Sequence, residues 1–242
     1  MSTVTTIIEN FCKKNNIAIT DEAISGFDTL CNSLLEFNSH TNLTAIKDEE
    51  GVAIKHFADS LSSLGHDLIP SGAKVIDIGC GAGFPGLPIA HARRDLGLTF
   101  LDSTAKNLKF TEKACGELSI DAEFLPVRAE EVSSDRKYRE NFDIAVSRAV
   151  ASLPVLLELS LPFVKVGGTF IAYKATGALE ELEMSKKAIP ALGGKYVKTI
   201  EVELPQSSDG EVLHHSLIVV KKVKNTPAQY PRRYAQMVKK PL

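Results

Sequence analysis

At 242 residues, with 44% apolar and 24% charged side chains, the chain has material for one substantial α/β core with an appendage; it is too short for two enzymatic domains and too mixed in composition for a disordered protein. No stretch approaches the roughly 20 continuous apolar residues of a membrane span, and a formal net charge of −2 gives no whole-chain signature of nucleic-acid binding. Cys12, Cys31, Cys80 and Cys115 lack C-x-x-C spacing, which argues against a disulfide framework and against zinc. The first residues carry no basic-then-apolar export signal, so a cytoplasmic protein with reduced thiols is expected.

In chain order, Ile7, Ile8, Phe11 and Cys12 repeat at helical spacing. A second helix carries Ile24, Phe27, Leu30, Leu34 and Leu35 after the cap-and-acid start Thr20-Asp-Glu, and a third carries Val52, Ile54, Phe57, Ala58, Leu61 and Leu64. Residues 1–72 thus read as a small helical cap. From Lys74 the pattern changes to short apolar runs separated by helical stretches, with strands expected at 74–78, 98–102, 122–127, 143–147 and 169–173. Strand-helix alternation predicts a mostly parallel, doubly wound sheet. The runs 196–204 and 212–223 have no helix between them, only Gln206-Ser-Ser-Asp-Gly, and should form an antiparallel hairpin. The expected fold is α/β and Rossmann-like, of the class I methyltransferase kind: a seven-stranded sheet over residues 73–225, the cap before it, and a basic tail over 226–242.

Val75-Ile-Asp-Ile-Gly-Cys-Gly-Ala-Gly-Phe-Pro-Gly86 is a strand running into a glycine turn and then a helix. The turn implies an adenosine cofactor. Gly81-Ala-Gly-Phe-Pro-Gly86 satisfies the dinucleotide pattern, and Asp102 lies about 20 residues on, where an acid binds ribose hydroxyls. Asp77 within the strand and the extra Gly79 favour S-adenosylmethionine, because an acid there can hold the methionine ammonium group and a pyrophosphate gains nothing from it. Asp102 has a competing role as a helix cap near Thr104. Arg128-Ala129-Glu130-Glu131 follows the third strand, where it can meet the adenine edge or simply begin a charged helix. Ser147-Arg148-Ala149 ends the fourth strand, at the carboxyl edge where open α/β sheets bind ligands.

That fourth-strand segment lacks the Asn/Asp-Pro-Pro-aromatic signature of exocyclic-amine methylation, and no cysteine is placed for covalent attack on cytosine. His214 and His215 are adjacent on a strand and point to opposite faces, so they read as structural and no metal site is expected. After Glu211 no Asp or Glu occurs, while Lys221, Lys222, Lys224, Arg232, Arg233, Lys239 and Lys240 accumulate. Charge alone leaves open whether this tail contacts phosphate or is merely solvated.

Asn42-Leu-Thr-Ala-Ile46, Lys55-His-Phe-Ala-Asp-Ser-Leu61, the loop Asp77 to Pro88, Ser147-Arg-Ala149, Tyr230-Pro-Arg-Arg233 and Lys239-Lys-Pro-Leu242 together resemble the bacterial RsmG family, also called GidB, over nearly the whole chain. The resemblance implies methyl transfer from S-adenosylmethionine to N7 of one guanine in 16S ribosomal RNA, presented in a 30S subunit or an assembly intermediate. It places cofactor contacts on Gly79, Phe84, Ala129, Glu130 and Arg148; Asp77, Gly81 and Asp102 follow from general methyltransferase geometry. Tyr234-Ala-Gln-Met-Val stands where the family has small and glycine-containing residues. Guanine N7 carries a lone pair and no proton, so no acid–base residue is expected to be indispensable. Candidates for RNA contact are Lys55, His56, Lys174, Arg232 and Arg233. The competing functions are a nicotinamide-dependent oxidoreductase and a non-catalytic RNA-binding assembly factor.

Overall fold

The computed structural model describes residues 2–175 and 177–242. Three helical stretches precede the sheet. In α1 (Thr3–Lys14), Ser2 caps the first turn by accepting from the Thr5 N–H. In α2 (Asp21–Thr41), Thr20 does the same for Ala23, and left-handed Asn42 ends the helix. The third stretch departs from the single helix expected. Short α3 (Glu49–Val52) widens into a π turn (Ala53–Ala58) and continues through α4 (Asp59–Leu61) into a 3₁₀ turn (Ser62–His66). A π turn alters which carbonyls are bonded along the helix, and the Lys55 carbonyl is taken by Arg148 from the sheet.

The sheet has the order β3-β2-β1-β4-β5-β7-β6, with β1 (Lys74–Ile78), β2 (Gly97–Leu101), β3 (Ala122–Leu125), β4 (Phe142–Arg148), β5 (Val164–Lys174), β6 (Gly194–Glu203) and β7 (His214–Lys222). The first five strands are parallel; β7 runs antiparallel to both β5 and β6. All seven expected strands are present. β5 begins at Val164, earlier than its expected start at Thr169, because pairing with Phe142 continues across a register shift. Around the sheet lie α5 (Gly86–Ala92), α6 (Ala105–Glu117), α7 (Ala129–Val132), α8 (Leu153–Ser160), α9 (Ala178–Met184), α10 (Ala188–Ala191) and, in the tail, α11 (Tyr234–Lys239).

Strand side chains alternate between two cores, as the period of two requires. Val75, Ile144, Val146 and Ile171 join the core shared with the cap helices, α5 and α6. Ile76, Ala145, Phe170 and Ala172 join the core with α8, α10 and Met237 of α11. The cap therefore completes one face of the sheet. The four cysteines are free and buried, and burial pushes the Cys12, Cys31 and Cys115 thiols up to about 12. No described helix is long and apolar enough to cross a membrane. The order reverses between β1 and β4, which opens a crevice at their carboxyl ends.

Candidate active site

The glycine loop lies in that crevice. Gly79 and Cys80 N–H groups both donate to the Leu101 carbonyl, at 2.7 and 3.1 Å, tying the loop to the end of β2. Gly79 sits at φ +68°, and a Cβ there would fall 2.5 Å from Val150 Cγ2, so only glycine fits. A Cβ on Gly81, by contrast, would meet nothing within 4 Å. Asp102 ties the loop to the start of the next helix: Oδ2 accepts the Gly81 N–H at 2.9 Å, and Oδ1 accepts the Thr104 N–H at 2.7 Å, in keeping with the capping role expected near Thr104. A carboxylate offers about four acceptor sites, so Asp102 keeps capacity for a ligand hydroxyl. Gly79, Gly81, Asp102, Ala129 and Glu130 line one cavity of about 420 Å³, within the range of small-molecule sites.

Asp77 lies beneath the loop, off that cavity's wall. Its Oδ2 accepts the Gly86 N–H at 2.8 Å, bracing the loop against the start of α5, while Oδ1 has no hydrogen-bond partner. Complete burial pushes its carboxyl up to about 7. An orphaned buried oxygen under an open glycine turn suits a cationic ligand group above it.

A second cavity of about 430 Å³ shares Ala149 with the first and is lined by Lys55, His56, Asp59, Arg148, Lys174 and His215. Arg148 organises it. Its Nη1 donates to Asp59 Oδ2 at 2.7 Å and to the Lys55 carbonyl at 3.1 Å, and its Nη2 lies 3.2 Å from His56 Nδ1. Arginine only donates, so Nδ1 accepts and the ring proton sits on Nε2, 2.9 Å from Thr44 Oγ1. Burial and the Arg148 charge hold the His56 pKa down to about 3, so the ring is neutral. It stacks on Phe84 with centroids 4.5 Å apart and planes inclined by 7°. Asp59 is fully buried, and burial alone would raise its pKa. Hydrogen bonds from His215, at 2.9 Å, and from Arg148 hold it below the usual carboxylate value.

The family model described as rRNA small subunit methyltransferase G, GidB, matches residues 23–208. The chain belongs to the GidB family. It is 46% identical over 228 residues to a ribosomal RNA small subunit methyltransferase G from Alkaliphilus oremlandii, covering 94% of each chain. It is 42% identical to the Clostridium novyi protein of that name, covering 94% of this chain and 92% of the relative. Among solved structures, an S-adenosylmethionine-dependent methyltransferase from Methanosarcina mazei superposes with a TM-score of 0.51 at 16% identity, over 65% of this chain and 96% of that one. YcgJ from Bacillus subtilis gives 0.52 at 13%, over 70% and 100%. These likenesses establish the class I methyltransferase fold.

The residues singled out by GidB resemblance do not all share one wall. Ala129 and Glu130 open α7 on the glycine-loop cavity, whereas Arg148 faces the second cavity and Phe84 lies beneath His56. Lys55, His56 and Lys174 do come together on the second cavity. There Lys174 is paired with Glu181 at 2.7 Å, and the exposed Lys55 ammonium lies 3.8 Å from Glu211. Arg232, one of the candidates for RNA contact, has a partner inside the protein: Nε and Nη2 grip the fully buried Glu158 on α8 at 2.8 and 2.6 Å, and its own N–H donates to the same carboxylate. Arg233 remains exposed. Sequence reasoning missed Asp59 and Thr44, although both lie in the quoted motifs, and it read His215 as structural without its bond to Asp59. Asp59 stands three residues after His56 and four after Lys55, a helical spacing that groups the three on one face. Nothing in the local sequence announced His215 as its partner.

Proposed function

We propose that the chain transfers a methyl group from S-adenosylmethionine to N7 of a guanine in 16S ribosomal RNA, as a 30S subunit or assembly intermediate. One observation carries the reading: the glycine-loop cavity and the cavity organised by Arg148 meet at Ala149, so a cofactor in the first and a purine in the second would lie edge to edge. Gly79, Gly81 and Asp102 fit an adenosine cofactor, and the orphaned Asp77 oxygen fits its ammonium end. When bound, the cofactor supplies an electrophilic methyl group on a sulfonium. Membership of a family whose relatives are named ribosomal RNA small subunit methyltransferases supports the RNA substrate.

The protein's own part is positioning and electrostatics. Guanine N7 needs no general base, and neutral His56 offers an uncharged, stacked edge beside the purine. Of the five N–H donors of Arg148, three are engaged by Asp59, Lys55 and His56; two remain for the base, whose O6 is an acceptor. As methylation places positive charge on the purine, unpaired cations on the wall would oppose it. Arg148 is neutralised by Asp59 and Lys174 by Glu181, leaving the cavity tolerant of that charge.

The test is to incubate the protein with labelled S-adenosylmethionine and either deproteinised 16S RNA or 30S subunits, then cleave at N7-methylguanine and map the break. A single N7-methylated guanine is expected. Label at a base nitrogen other than N7, or on an exocyclic amine, would refute the assignment, and calorimetric binding of a nicotinamide dinucleotide in place of the methyl donor would refute the cofactor.

A further inference from the structure

We propose that the Tyr234 ring packs against the adenine base of the cofactor, making the C-terminal helix α11 one wall of the cofactor site. This rests on the methyl-donor reading above. The reactive sulfonium has to lie at Ala149, where the cavities meet, so the nucleoside extends the other way, past Asp102 toward Arg128, Ala129 and Glu130. Tyr234 stands at that far end. It lines the glycine-loop cavity, and it also lines a neighbouring cavity of about 490 Å³ whose walls share Arg128 and Glu130 with the first.

The ring is held there by its neighbours. Met237, three residues on, is fully buried against the α8 face, fixing the rotation of the short helix. Arg232 clamps Glu158, and Arg139 donates to the carbonyls of Thr226 and Tyr230, so the chain entering α11 is fastened at several points. Yet Tyr234 itself keeps 36% of its surface uncovered. The apolar residues Leu101 and Leu159 line the same cavity. A cavity that offers Leu101 and Leu159 beside polar groups, with an uncovered aromatic ring at its end, matches a purine, whose face stacks on aromatic side chains irrespective of its hydrogen-bonding edge.

The chain has no tryptophan and five tyrosines, so its intrinsic emission reports tyrosine surroundings directly. S-adenosylhomocysteine and adenosine are titrated into wild type, Tyr234→Phe, Tyr234→Leu and, as a control, Tyr196→Phe, by calorimetry and by tyrosine emission. Wild type binds both ligands with quenched emission. Tyr234→Leu weakens both by the same factor, about tenfold. Tyr234→Phe keeps its affinity but loses the ligand-dependent quench, a readout that holds even where Tyr234→Leu folds poorly; Tyr196→Phe retains affinity and quench alike. Unchanged binding in Tyr234→Leu, or an undiminished quench in Tyr234→Phe, overturns the proposal while leaving the cofactor reading intact. Failure of wild type to bind S-adenosylhomocysteine overturns the cofactor reading itself, and the proposal with it.

Discussion

Asp59 keeps its charge in a place with no access to water, which is tolerable only because Arg148 and His215 bond both oxygens. Asp59→Asn leaves a half-buried arginine without its counter-ion. It should lower stability by about 3 kcal/mol in urea denaturation and reduce turnover as Arg148 loses its fixed orientation. A change under about 1 kcal/mol, the range of exposed pairs, would show that Arg148 finds another partner. His56 makes the same site acid-sensitive. Between about pH 6.5 and pH 3 the unfolded chain binds a proton at His56 that the folded chain refuses, so stability falls as pH drops through that window, by about 1.4 kcal/mol for each unit separating the two pKa values. The depressed pKa of Asp59 adds a loss of the same sign at the acid end. His56→Asn should flatten the dependence of melting temperature on pH between 4 and 6.5; an unaltered slope would place the titration elsewhere. Sequence exposes one side of this cluster only. Lys55, His56 and Asp59 share a motif, but His215 lies 156 residues from Asp59, and no local pattern encodes a contact made by the sheet's closing.

Parallel strands are short apolar runs bounded by turn residues, so β1 to β5 are legible in the sequence, and the missing helix between β6 and β7 makes the hairpin legible too. The third helical stretch is not. Its apolar spacing is that of an ordinary helix, while the π turn accompanies a bond to the Lys55 carbonyl from Arg148 on a distant strand, which no local pattern encodes. The glycine loop combines both kinds of information. A glycine turn after a strand is visible in sequence, whereas the reason Gly79 admits no side chain, Val150 from beyond β4, is visible only in three dimensions. Gly79→Ala should therefore cost about 1–3 kcal/mol through backbone strain at positive φ and weaken methyl-donor binding at least tenfold, read by calorimetry. Adding Val150→Ala removes the clash and leaves the strain, so the double variant should recover only part of the loss. Full recovery would mean that the φ requirement is unimportant; no recovery would mean that Val150 is.

The cap joins the sheet through a shared apolar core, the tail through Met237 and buried polar contacts, and the tail shows how charge composition misleads at the scale of the molecule. A run of basic residues without acids invites an electrostatic arm, but composition does not say which cation already has a partner inside the protein. Arg232 has one, in Glu158; exposed Arg233, on the cavity next to Tyr234, has its side chain turned to solvent. The two arginines should thus separate in experiment. Arg232→Gln strands a buried carboxylate and should destabilise the protein by about 3 kcal/mol, and Glu158→Gln combined with it should restore most of that, because the coupling belongs to the pair. Neither should change the slope of log affinity for 16S RNA against log salt. Arg233→Gln should leave unfolding nearly untouched and, if its guanidinium neutralises a phosphate, reduce that slope by about one. The opposite pattern, a flattened salt slope in the Glu158→Gln/Arg232→Gln double variant with stability intact, would return Arg232 to the RNA and make its ion pair with Glu158 a contact broken on binding.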